Sequence, residues 1–164
     1  MYRVVKAFVL MFTKKTVSKR LCNEQKDLEI GSGSYSTVYK IKDNDTRVIK
    51  QYGKNSWMDF KTEVHILHQL RDTSFINCFD YGFCPKGKNG WSILPKLYSD
   101  LHTKPPSRII VRSIALQLLA QINTLHEHDI IHLDVKPANI MWKDSNMTSI
   151  QLIDFGSSRN LVIP

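Results

Sequence analysis

Long apolar runs are missing from this chain: nothing approaches the roughly 18 consecutive apolar residues of a membrane-spanning helix. Glycine and proline are sparse, at 7 and 6 residues, and no segment repeats, which excludes collagen-like, low-complexity and solenoid architectures. Cysteine is scarcer still. Cys22, Cys78 and Cys84 are odd in number and spaced like no zinc signature. Neither a disulfide framework nor a structural metal is therefore expected, and a reducing intracellular compartment, cytoplasmic or nuclear, is. Acidic residues are absent from Met1–Asn23, where six of the 23 lysines and arginines lie. Six of the eight net positive charges therefore belong to that segment, because the rest holds 17 basic against 15 acidic residues.

What is present is core-forming material. Across 164 residues, 42% are hydrophobic and 10% aromatic, enough for one ordinary domain or for two small lobes. The basic segment, residues 1–26, also carries the apolar run Ala7-Phe8-Val9-Leu10-Met11-Phe12. Two readings stay open for it: an element packing on the body followed by a solvated basic linker, or a targeting or polyanion-binding role. No specific nucleic-acid partner is expected, since the charge lies outside the body.

From Asp27 the pattern changes to short strand-like runs at Leu28–Ile30, Thr37–Ile41 and Arg47–Gln51, with the polar turn Lys42-Asp43-Asn44-Asp45 between the last two. A helix follows, capped by Ser56, with Phe60, Val64, Leu67 and Leu70 at helical spacing. Glu63 falls on that apolar face, where an ionised carboxylate needs a partner. Two more strands are expected at Ile76–Phe83 and Trp91–Leu97, then a long helix over Ser107–His126, and last the short strands Ile140–Trp142 and Ile150–Ile153. In the long helix Gln117, Gln121 and Asn123 make a thin polar face, and Leu116, Leu119 and Ala120 widen the apolar one, so burial on more than one side is expected.

Three groups of residues carry chemistry. Gly31-Ser32-Gly33-Ser34-Tyr35-Ser36-Thr37-Val38 sits between two expected strands. A glycine turn there can lay backbone N–H groups over a polyphosphate, although many such hairpins are ordinary tight turns. Lys50 ends the apolar run Val48-Ile49 downstream, and pairing it with Glu63 would satisfy both charges while orienting the ammonium toward phosphate oxygens. The third group is His132-Leu133-Asp134-Val135-Lys136-Pro137-Ala138-Asn139 with Ile153-Asp154-Phe155-Gly156. Asp134 can take a hydroxyl proton, Lys136 can neutralise a transferring phosphoryl group, and Asn139 and Asp154 supply oxygen ligands for Mg²⁺.

In this order the motifs resemble the eukaryotic-type serine/threonine protein kinase family over Leu28 to Ser157, and the catalytic loop is similar to those of the Wee and Mos groups. The resemblance implies an α+β, two-lobed fold: a β-rich small lobe with one helix over residues 27–97, and a helical large lobe beginning at residue 98. It implies ATP and Mg²⁺ as cofactors, with Gly31, Gly33, Val38 and Lys50 around the nucleotide, Glu63 as partner of Lys50, and Asp134 as catalytic base beside Lys136. Asn139 and Asp154 are the implied metal ligands. Ile93–Leu101 resembles the segment joining the lobes, with Leu94 as gatekeeper and the Pro95 carbonyl and Leu97 N–H facing adenine. Leu133 stands where most members have an arginine that answers an activation-loop phosphate. Switching through such a phosphate is therefore not expected.

The chain ends eight residues past Gly156, so the expected large lobe is partial and its long helix lacks the neighbours the family provides. Two functions follow from the resemblance. One is an enzyme that transfers the γ-phosphoryl group of ATP to a protein hydroxyl. The other is a binding module with little catalysis that docks on another kinase, on a complementing chain or on a second copy through the uncovered helix.

Overall fold

The computed structural model describes residues 26–84 and 89–161. The basic N-terminal segment up to Gln25 and most of the loop 84–90 lie outside the described residues. The chain divides into two compact units: one holds residues up to Lys61 together with Phe79–Leu94, the other Thr62–Cys78 together with Pro95 onward.

The first unit is built on a five-stranded sheet in the order β1-β2-β3-β5-β4. Its strands are β1 (Lys26–Ser32), β2 (Ser36–Ile41), β3 (Asn44–Tyr52), β4 (Asp80–Cys84) and β5 (Asn89–Pro95). The first three strands are where the apolar runs place them and are each longer than the run, whereas β4 begins at Asp80, four residues after the expected Ile76, and β5 lies two residues earlier than the expected Trp91–Leu97. Lys42 and Asp43 form the β2–β3 turn, closed by the Ile41–Asn44 pair, and Asp43 has φ 57, a left-handed conformation that Asp tolerates. Asn44 Oδ1 accepts from both the N–H and the hydroxyl of Thr46, a local competition with the ladder that short polar residues favour. Val48, Ile49, Tyr52, Phe60, Trp91 and Leu94 are buried here. Phe60 lies at the centre of an aromatic group, 5.1 Å from Tyr52 and 5.3 Å from Trp57 between ring centroids, and Trp57 meets Phe83 edge-on at 5.6 Å. Gly90 lies against the Phe60 ring so closely that a Cβ there would stand 2.2 Å from Cγ.

Helix α1 (Trp57–Gln69) begins in the first unit and continues into the second. Its stripe is as the spacing predicts: Phe60, Val64, Leu67 and Leu70 are all buried, and so is Glu63, at 1% exposure. The second unit also holds α2 (Val111–Glu127) and two small sheets. One contains β6 (Ser99–Asp100), β8 (Ile140–Trp142) and β9 (Ile150–Leu152) in the order β6-β8-β9; the other pairs β7 (Ile130–Ile131) with β10 (Arg159–Asn160).

Helix α2 starts four residues later than the spacing predicts, because Ser107–Ile110 forms a separate turn closed by Ile110 N–H to the Ser107 carbonyl at 3.2 Å. It ends at Glu127, and two residues on Asp129, at φ 57, turns the chain back while its N–H bonds the His126 carbonyl at 3.0 Å. The expected faces of α2 are partly reversed. Ile114 and Leu125 are buried, but Leu116 and Leu119 are 58% and 61% exposed, and Gln117 and Gln121 face β9. The expectation of a thin solvated glutamine face is corrected by this arrangement: the strand edge of β9 requires hydrogen-bond partners that leucine cannot provide.

Candidate active site

In the first unit β1 and β2 form the glycine hairpin, with Gly31 opposite Val38 and Ser32 opposite Thr37. Gly33 N–H closes the turn on the Ser36 carbonyl at 2.9 Å, and Gly53 N–H ties its tip to β3 through the Tyr35 carbonyl at 3.0 Å. Neither glycine is demanded by the fold itself. No described glycine has positive φ, a Cβ at Gly31 would meet nothing within 4 Å, and one at Gly33 would make only an ordinary 3.9 Å contact. What the absent side chains leave is a bare backbone surface, suited to close approach by a ligand. Lys50 sits opposite Val38 on β3, 7% exposed, its ammonium 5.3 Å from the Tyr52 ring centroid. Leu94 is buried near the end of β5, which Pro95 closes.

Glu63, Pro95, Leu97, Asp134, Lys136, Asn139 and Asp154 belong to the second unit, and Gly31, Gly33, Val38, Lys50 and Leu94 to the first. Within the second unit the loop after β7 gathers the reactive groups. Leu133 takes φ 64, costly for a branched side chain, and leaves the Leu133 side chain exposed. Pro137–Asn139 form a single 3₁₀ turn in which Asn139 N–H bonds the Lys136 carbonyl at 2.9 Å. Asp134 Oδ2 accepts both from Lys136 Nζ and from Asn139 Nδ2, each at 2.8 Å, and Asn139 Nδ2 also donates to the Asp134 carbonyl at 2.8 Å.

Two consequences follow for the chemistry. The Asp134 carboxylate is oriented by two donors yet remains partly exposed, so it can accept a proton from an approaching hydroxyl. The Asn139 side-chain amide spends its nitrogen on Asp134, leaving its Oδ1 as the oxygen suited to a cation. Ile153 N–H bonds the Asn139 carbonyl at 2.9 Å, which sets Asp154 beside that turn with φ 67. An amide oxygen and a carboxylate are hard ligands of the kind that hold Mg²⁺ with phosphates completing the shell, so the residues fit that ion.

His132, quoted within the motif but assigned no role from sequence, is the hub of this loop. Its Nε2–H donates to the Ile153 carbonyl at 3.0 Å, its Nδ1 accepts Asp134 N–H at 3.3 Å, and Phe155 packs 5.1 Å away. Ser158 hydroxyl donates to the His132 carbonyl at 3.2 Å. The available signal was its place two residues before Asp134. Burial, first of all, holds the imidazole below its ordinary 6.5, with Lys136 adding to the effect; the Ile153 carbonyl and the Asp154 and Asp134 charges partly offset it. His65 is lowered in the same direction by burial and by His68. Unfolded, both rings protonate near 6.5, so the folded chain binds fewer protons below that point. The stability these rings contribute is present above pH 6.5 and is lost as pH falls toward their lower folded values. The urea midpoint is therefore expected to drop on acidification from neutrality, and His132→Gln to flatten part of that slope; an unchanged slope contradicts this role.

Residues 24–163 match the family model for the protein kinase domain, and the chain belongs to that family. The α+β fold implied by the motifs is accordingly that of a protein kinase, with its β-rich sheet first. Among curated relatives, the chain is 34% identical over 140 residues to mitogen-activated protein kinase kinase 8 of Arabidopsis thaliana, covering 81% of this chain and 44% of that protein. It is 33% identical over 146 residues to serine/threonine-protein kinase TAO2 of Xenopus laevis, covering 79% and 14%, and 30% identical over 149 residues to human cyclin-dependent kinase-like 2, covering 82% and 29%. The chain thus spans less than half the length of each of these relatives. Among the described residues no helix is long and apolar enough to cross a membrane.

Proposed function

We propose that the chain binds ATP with Mg²⁺ and transfers the γ-phosphoryl group to a serine or threonine hydroxyl of a protein. The observation that carries this reading is the convergence of Lys136 Nζ and Asn139 Nδ2 on one oxygen of Asp134. Such an arrangement contributes little to stability: the ion pair is 52% and 35% exposed, and pairs of that kind contribute about 0–1 kcal/mol. Its use is in orienting a base.

In the proposed step the substrate oxygen attacks the γ-phosphorus, the bond to the β,γ-bridging oxygen breaks to release ADP, and the hydroxyl proton passes to Asp134. Lys136, half-exposed beside Asp134, offsets charge on the transferring group. Asn139 and Asp154 would hold Mg²⁺, which supplies charge neutralisation at the phosphates when bound. Gly31 and Gly33 leave the backbone over the phosphates bare, with Val38 against the base, Lys50 on the phosphates and Glu63 in the role the family assigns to its helix carboxylate. Leu94, Pro95 and Leu97 would line the adenine. The serine/threonine preference rests on Lys136 within Asp-Val-Lys-Pro-Ala-Asn and on the likeness to serine/threonine-protein kinase TAO2.

The test is thermal. At a concentration about 100 times its dissociation constant, Mg·ATP is expected to raise the melting temperature of the full chain by about 5–10 °C. Asp154→Asn should remove the Mg²⁺-dependent part of that rise. A folded wild-type chain that shows no shift overturns the reading.

A further inference from the structure

Helix α2 carries glutamine at 117 and 121, one turn apart and on one face. Gln121 Nε2 donates to the Ile150 carbonyl at 3.1 Å while its Oε1 accepts Leu152 N–H at 2.8 Å. Gln117 repeats the pattern one turn earlier, Nε2 to the Thr148 carbonyl at 2.9 Å and Oε1 from Ile150 N–H at 3.0 Å. Buried Gln151 completes the set, its Nε2 donating to Gln121 Oε1 and to the Leu152 carbonyl, both at 3.2 Å.

The other edge of β9 pairs with β8, and Ile153 N–H continues that edge to the Asn139 carbonyl. β9 is therefore a three-residue strand bonded along both edges, with side-chain amides standing where the peptide groups of a neighbouring strand would be. Apolar side chains could cover this edge but could not pair its N–H and carbonyl groups. Amides do more, because a slip of one residue along α2 would present side chains where the paired N–H and carbonyl groups now lie. Two residues beyond Leu152 stands Asp154, left-handed at φ 67, so where β9 ends sets where its carboxylate is presented.

We infer that Gln121 is a positioning residue for Asp154: it sets the register and direction of β9 from the side opposite β8, and so the place from which the Asp154 carboxylate is presented. The inference rests on the reading of Asp154 as a Mg²⁺ ligand. Gln121→Met keeps length and volume and removes both bonds to the β9 backbone; Gln117→Met removes two backbone bonds of the same hairpin farther from Asp154. Using the full chain below its melting temperature, the Mg²⁺ concentration for half-maximal binding of a fluorescent ATP analogue is measured together with hydrogen exchange at the Ile153 and Asp154 amides.

Gln121→Met is expected to raise the half-maximal Mg²⁺ concentration about tenfold, the lower end of what residues behind a metal ligand contribute. Gln117→Met should lower the melting temperature similarly with a much smaller Mg²⁺ effect. Equal Mg²⁺ effects in the two variants, or none in Gln121→Met, overturn the inference. Should Gln121→Met not fold, Gln121→Glu keeps the acceptor for Leu152 N–H and loses the amide donor to Ile150, and the same comparison applies. If wild type shows no Mg²⁺-dependent binding, the kinase reading fails separately and exchange decides: faster exchange at Ile153 and Asp154 in the Gln121 variant and not the Gln117 variant supports positioning, and equal exchange overturns it.

Discussion

Asp134→Asn is expected to fold like wild type, to keep the melting-temperature rise with Mg·ATP, and to lose phosphoryl transfer by a factor of about 10²–10⁴. An asparagine oxygen can still accept from Lys136 Nζ and Asn139 Nδ2, so the loop keeps its shape. What disappears is the basic carboxylate, and an amide does not take a proton at neutral pH. The same change contrasts with Asp154→Asn, in which the Mg²⁺-dependent rise itself should vanish. Measuring transfer and melting side by side separates the two roles. An Asp134→Asn protein with wild-type transfer excludes Asp134 as the base, and one that melts far below wild type shows that the cluster is structural.

The largest effect on stability is expected from Gly90→Ala, at about 1–3 kcal/mol, with Gly90→Val more severe. A Cβ at this position would lie 2.2–2.6 Å from three carbons of the Phe60 ring. Phe60 has no exposed surface and is flanked by Tyr52 and Trp57, so the ring has nowhere to retreat. The glycine is required by this close approach and not by its backbone angles, since no described glycine has positive φ. Combining Gly90→Ala with Phe60→Leu should cost less than the sum of the two single changes, because the smaller side chain frees the space the methyl needs. Urea unfolding of the four proteins measures this. Gly90→Ala within about 0.5 kcal/mol of wild type, the usual range for a surface change, would contradict it.

Much of this arrangement was legible because it is local. The turn at Lys42–Asp43, the stripe Phe60-Val64-Leu67-Leu70 and the buried Glu63 each announce themselves within a few residues, through turn chemistry or helical spacing. In the loop from His132 to Asn139 the sequence offers the residue types, and the structure adds which atom of Asp134 its neighbours address. Periodicity failed at α2, since it ranks glutamine as solvent-seeking and leucine as buried. Gln117 and Gln121 turn inward because β9 has an edge to satisfy, and that edge lies some thirty residues away in sequence. The strands Ser99–Asp100, Ile130–Ile131 and Arg159–Asn160 are two residues long, too short for any alternation to show. The Gly90 contact with Phe60 likewise joins distant residues and leaves no trace in local pattern.

The proposed chemistry stands or falls on phosphoryl transfer through the Asp134 loop. Its most direct test is the transfer of labelled γ-phosphate from ATP by the 164-residue chain to itself and to a generic basic protein, with Mg²⁺ and with a chelator, beside Asp134→Asn. Transfer that requires Mg²⁺ and falls away in Asp134→Asn is expected. Folded wild-type protein that transfers nothing, or transfer that survives Asp134→Asn, would contradict it.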